Sequence, residues 1–150
     1  MGLDCHIYAV PYSKHNKFKT EIHKNNEGKF EYDIPSPFLE DIACPDAYTG
    51  DEGNFIDFCH LVAYWRKNWF IYNFFSEFYT EYENADYRLI DDIALSRLIK
   101  ELEATPQDEY NAINGNDYSN VERDIAHLNR ILDMMREYKG ILEFYWEGDY

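Results

Sequence analysis

Asn54-Phe-Ile-Asp-Phe-Cys-His-Leu-Val-Ala-Tyr-Trp-Arg-Lys-Asn-Trp-Phe-Ile-Tyr-Asn-Phe-Phe-Ser-Glu-Phe-Tyr-Thr-Glu81 is the stretch on which the reading of the fold turns. Phe55, Phe58, Cys59, Val62, Trp65, Trp69, Tyr72 and Ser76 recur at spacings of three and four residues. That period defines one apolar stripe and predicts a single long central helix over residues 54–81. The apolar-leaning run from Phe55 to Phe75 is interrupted by Asp57, His60, Arg66, Lys67 and Asn73, whereas a membrane span needs about 20 mostly apolar residues, so no span is expected.

On the N-terminal side, Leu3, Cys5, Ile7 and Ala9 alternate with Asp4, His6, Tyr8 and Val10, the period of a strand with one buried face, ending at Pro11. Residues 13–28 lack a clean period; Asn25-Asn26-Glu27-Gly28 is turn chemistry leading to a short strand over 29–34, closed by Pro35. Residues 37–53, with Pro37, Pro45, Gly50 and Gly53, read as a long connector. On the C-terminal side, residues 87–90 suit a short extended piece. Asp91 then N-caps a helix with Leu95, Leu98, Ile99 and Leu102 on its apolar face, stopping before Pro106. Ser119-x-x-Glu122 has the form of a capping box, opening a helix that turns Val121, Ile125, Leu128, Leu132, Met135 and Tyr138 inward and ends at Gly140. Residues 141–146 alternate again and form a last strand, placed to pair with the first. The expected fold is α+β, one domain over residues 1–150, with a small antiparallel sheet from the N- and C-terminal strands covered by about three helices. The competing arrangement is a helical bundle with extended terminal arms.

The 150 residues carry a formal net charge of -15, with 45% hydrophobic and 18% aromatic side chains, enough apolar surface for one core. Residues 1–30 hold five lysines and three acids, leaving 9 of the 14 basic and 26 of the 29 acidic residues for the rest of the chain. Such a body repels phosphate backbones and anionic lipid, so direct nucleic-acid or membrane binding is not expected, and a protein partner with a basic surface is. Glu122, Asp124 and Asp133, on the helix after residue 119, are the carboxylates assigned to that partner. The N-terminus shows no basic and apolar signal pattern, and His6 stands where a myristoylation motif wants Ser or Thr, so a cytoplasmic location is expected.

Three features carry candidate chemistry. Asp4, His6 and Tyr8 project from one face of the first strand, where a carboxylate can orient an imidazole, and are the candidates for catalysis. A hydrogen-bonded structural face is the competing reading of the same row. Cys5-His6 and Cys59-His60 have zinc-ligand types without zinc spacing, since adjacent residues diverge on a strand or a helix. Together with Cys44 they are read as reduced thiols; no metal site and no cofactor is expected. Finally, Tyr64-Trp65-Arg66-Lys67 sets two cations among aromatic rings in a chain poor in positive charge. Tyr64, Arg66 and Lys67 are therefore candidates for binding an anionic group, against the alternative of charge balance and cation-π packing.

The opening Met1-Gly2-Leu3-Asp4, the Tyr64-Trp65-Arg66-Lys67 motif and the aromatic ending Glu143-Phe144-Tyr145-Trp146 resemble a family of small uncharacterised proteins encoded by bacteriophages and prophages. Where family members carry a histidine after the central motif this chain has Tyr72, and their Asp-Asp-Cys stretch is absent. The resemblance implies an accessory protein acting inside a bacterial cell and brings no catalytic chemistry with it. The expected function is protein binding, with inhibition of a host nucleic-acid-binding or defence factor through the acidic surface as its specific form. The competing function is a small enzyme or metal-dependent protein built on Asp4 and His6.

Overall fold

Strand β1 (Asp4–Pro11) lies at the centre of a five-stranded antiparallel sheet, and its alternate residues Cys5, Ile7 and Ala9, with Leu3 just before it, are buried on one face. The structure, a computed structural model, describes residues 3–11, 23–24, 30–31, 40–43, 58–79, 88–140 and 142–149. The elements after β1 are β2 (His23–Lys24) and β3 (Phe30–Glu31), which pair with each other, then β4 (Glu40–Ala43), β5 (Phe58–Arg66) and α1 (Trp69–Phe78). They are followed by β6 (Arg88–Ile90), α2 (Asp92–Glu103), α3 (Gln107–Asn114), α4 (Val121–Glu137) and β7 (Leu142–Asp149). The main sheet runs β4-β5-β1-β7-β6, and Asp4 to Pro11 pair with Asp149 to Leu142, so the two ends of the chain meet at its middle.

The fold is α+β, as the sequence implies, but the central stretch is not one helix. Phe58–Arg66 is a strand and the helix begins only at Trp69. The physical reason is that Ala63 and Trp65 alternate with exposed Tyr64 and Arg66, a period of two hidden inside the three-four spacing. Pairing with β1, through Cys5↔Trp65 and Ile7↔Ala63, decides between the two periods. Val62 is skipped in the register between Ile7↔Ala63 and Tyr8↔Leu61, which makes a bulge. Its carbonyl accepts a hydrogen bond from His127 Nε2 at 2.7 Å.

Further differences have similar causes. The connector over 37–53 contains strand β4 at the sheet edge; most of that segment, like most of 13–28 and 29–34, lies outside the described residues. Helix α3 leaves no periodic mark in the sequence, because its buried residues are Tyr110 and Asn114, which make no apolar stripe. It ends at Gly115, whose φ of 68° is the left-handed conformation that Gly adopts without strain. Helix α4 is capped by Asn120, whose side chain accepts from Arg123 N, and not by Ser119, whose hydroxyl turns back to Asn116 Oδ1. The anticipated Asp91 cap forms, accepting from Ala94 N at 2.9 Å.

Helices α1, α2 and α4 bury Phe75, Leu95, Leu98, Leu102, Leu128 and Ile131 against the Cys5, Ile7 and Trp146 side of the sheet. Phe75 stacks on Trp146 at 4.5 Å between ring centroids. At Gly148 an added Cβ would lie 2.7 Å from the Tyr72 ring, so only glycine lets α1 sit this close to β7. Among the described residues no helix is long and apolar enough to cross a membrane.

Candidate functional site

Alternation along β1 sends Asp4, His6 and Tyr8 to the sheet face opposite the main core, and antiparallel pairing adds Tyr64 from β5 and Glu147 from β7 beside them. Asp4 Oδ1 accepts the Tyr64 hydroxyl at 2.7 Å, which holds the Tyr64 phenol above its ordinary range. The His6 ring lies 5.0 Å from that of Tyr64 and 5.7 Å from that of Tyr8. Its Nδ1 is 3.9 Å from Glu147 Oε1, beyond hydrogen-bond reach, and has no hydrogen-bond partner among the described residues. Burial holds the His6 imidazole below its ordinary range, while Glu147, Asp4 and Asp149 pull it the other way. The row therefore brings the three candidate residues onto one face but couples Asp4 to a tyrosine rather than to His6. Cys5, on the opposite face, is fully buried, and burial followed by the charges of Asp4 and Glu147 raises its thiol far above the ordinary range. Among the described residues no group of three or more His, Cys, Asp or Glu side chains could hold a metal ion.

Tyr64, Arg66 and Lys67 form the exposed end of β5 and the turn into α1. Lys67 has φ 56°, unusual for a residue with a Cβ, and the surroundings enforce it. Lys67 N donates to Leu3 O at 2.7 Å, Asn116 Nδ2 donates to Lys67 O at 3.1 Å and the Tyr118 hydroxyl donates to Arg66 O at 3.1 Å. The next residue, Asn68, is 2% exposed and anchors the turn inward. Its Oδ1 caps α1 through Ile71 N, and its Nδ2 donates to the Tyr110 hydroxyl at 2.7 Å. Tyr110 in turn donates to Asp124 Oδ2 at 2.7 Å. Burial, then the Asp124 charge, holds the Tyr110 phenol well above its usual range. Asn114 completes the clamp, accepting from Phe70 N at 2.9 Å and donating to Ser119 Oγ at 3.0 Å.

This network corrects one binding assignment. Asp124 is 2% exposed and supports the turn from within, so its carboxylate does not face a partner. Glu122 and Asp133 are exposed on α4, but Arg123, Arg130 and Arg136 are exposed beside them and the helix surface is of mixed sign. Asp133 also borders a cleft of about 230 Å³ between Val62 and α4, floored by Ile131 and Met134. A second cleft, about 340 Å³, lies between Leu89, Asp91 and the end of α4; Asp4, His6 and Tyr8 line neither.

Four further exposed carboxylates flank Pro106, with exposed Lys100 beside them. At the corner where α2 passes into α3, Glu101, Glu103, Asp108 and Glu109 all face solvent, and no ion pair joins any of them to a cation among the described residues. Sequence reasoning passed over this corner because the acids follow two different helices and share no period. Their spacing around Pro106 was the available signal. No family model, curated protein or solved structure matches the chain.

Proposed function

We propose that the protein is an intracellular accessory protein of phage or prophage type that acts by binding a basic surface of another protein, through the carboxylates of the α2–α3 corner. The observation supporting this reading is that Glu101, Glu103, Asp108 and Glu109, on either side of Pro106, are all exposed and make no ion pair among the described residues, in a chain of net charge -15. Unpaired surface charge accelerates encounter with an oppositely charged partner, and the acceleration is screened beyond about 8–10 Å at physiological ionic strength. A host nucleic-acid-binding or defence factor is the class of partner that offers such a basic surface.

The test is the association rate of a partner captured from bacterial lysate, measured against ionic strength. The comparison set is the parent, a Glu101→Gln/Glu103→Gln/Asp108→Asn/Glu109→Gln variant, and a Glu122→Gln/Asp133→Asn variant of α4. The corner variant slows association and flattens its salt dependence, while the α4 variant has the smaller effect. A rate indifferent to salt and to the corner variant would reduce the acidity to solubility.

A further inference from the structure

We infer that the β5–α1 turn is a second recognition surface, of opposite sign to the α2–α3 corner, built to hold an acidic peptide segment of a partner protein. Arg66 and Lys67 are both exposed, and neither makes an ion pair among the described residues although the chain has 29 acidic side chains. Arg66 stands directly across from Asp4 in the sheet register, yet the Asp4 carboxylate is taken by the Tyr64 hydroxyl at 2.7 Å. The Asp4 carboxylate thus turns one oxygen to Tyr64 and makes no ion pair with Arg66 among the described residues.

The cations are flanked by exposed rings. Tyr64 is 49% exposed and Tyr118 51%, and Tyr118 is fixed over the end of β5 by its hydrogen bond to Arg66 O. Trp69, two residues beyond Lys67, is 37% exposed. Large rings held at the surface beside unpaired cations are the composition of an interaction hot spot, where apolar contact supplies affinity and charge supplies selection. The backbone is held ready for it: the left-handed Lys67 is clamped on both sides by Leu3 O and Asn116 Nδ2, so little ordering entropy remains to be lost on binding.

The occupant follows from the charge count. Two cations match one or two carboxylates next to an apolar residue. A nucleic-acid strand would bring a phosphate with every nucleotide against a body of net charge -15. The amides of the adjoining helix end do not add a phosphate cradle, because Phe70 N and Ile71 N already donate to Asn114 and Asn68.

The experiment uses the full chain and an array of labelled peptides combining Glu or Asp with Leu or Phe, with labelled oligothymidylate alongside. Binding is read by fluorescence anisotropy. An Arg66→Gln/Lys67→Gln variant should bind the best acidic peptide about tenfold or more weakly. An Arg136→Gln/Lys139→Gln variant, matched in net charge and at the far end of α4, should bind like the parent. Equal loss in both variants would assign the effect to overall charge and overturn the proposal. So would failure of every acidic peptide to bind, or tighter binding of oligothymidylate through Arg66 and Lys67. Because these variants leave Glu101, Glu103, Asp108 and Glu109 intact, the outcome is independent of the test of the acidic corner.

Discussion

Replacing Tyr110 by phenylalanine removes one oxygen atom from the interior and is expected to cost a large part of the protein's stability. Tyr110 is 0% exposed, and its hydroxyl sits between Asp124 Oδ2 and Asn68 Nδ2, each at 2.7 Å. The substitution deletes a hydrogen bond to a carboxylate, worth about 1.5–3 kcal/mol. It also leaves the Asn68 amide, 2% exposed, without its acceptor, at a cost of about 1–3 kcal/mol. Together these give roughly 3–5 kcal/mol, set against a typical domain stability of about 5–15 kcal/mol. For a chain of this length that corresponds to a fall in melting temperature of roughly 10 °C. Urea and thermal unfolding of Tyr110→Phe, Asp124→Asn and the double variant form the assay. The two substitutions should be coupled by about 1–2 kcal/mol, because they remove opposite ends of one contact. A loss below about 1 kcal/mol, or additivity within about 0.5 kcal/mol, would refute the idea that this network holds the β5–α1 turn.

Trp65→Ala should destabilise by about 3–5 kcal/mol in the same unfolding assay, since the ring is 6% exposed and belongs to the core; an unchanged melting temperature would remove Trp65 from it. His6 and His127 are both held below their ordinary value of 6.5 by burial, so the unfolded chain binds protons more readily than the folded one. Stability from these groups is complete above the unfolded value and is lost as pH falls below it. The urea midpoint should therefore drop between about pH 7 and pH 5, and less so in His127→Gln. Cys5, fully buried with its thiol raised by burial, should resist a thiol reagent in the native protein and react on unfolding, with rapid native labelling as the contrary result.

Local chemistry was enough for the sequence to determine β1, β7, the Asp91 cap and the apolar face of α2, because each rests on a period or a capping residue contained in its own segment; on α4 the period places Val121, Leu128 and Leu132 inward but not the equally buried Asp124, Ile131 and Met134. The α+β class followed from their order. Residues 54–81 were different: their spacing satisfies a helix and partly satisfies a strand, and only pairing of Cys5 with Trp65 and Ile7 with Ala63 across the sheet selected the strand. The same limit applies to the sites. That Asp4, His6 and Tyr8 share a face is a consequence of alternation alone. That Asp4 serves Tyr64, that Asp124 is buried beneath Tyr110, and that Lys67 is held left-handed by Leu3 and Asn116 depend on residues far apart in the chain. Such partners are fixed by packing, because a hydrogen bond between distant residues leaves no mark on the spacing of either one.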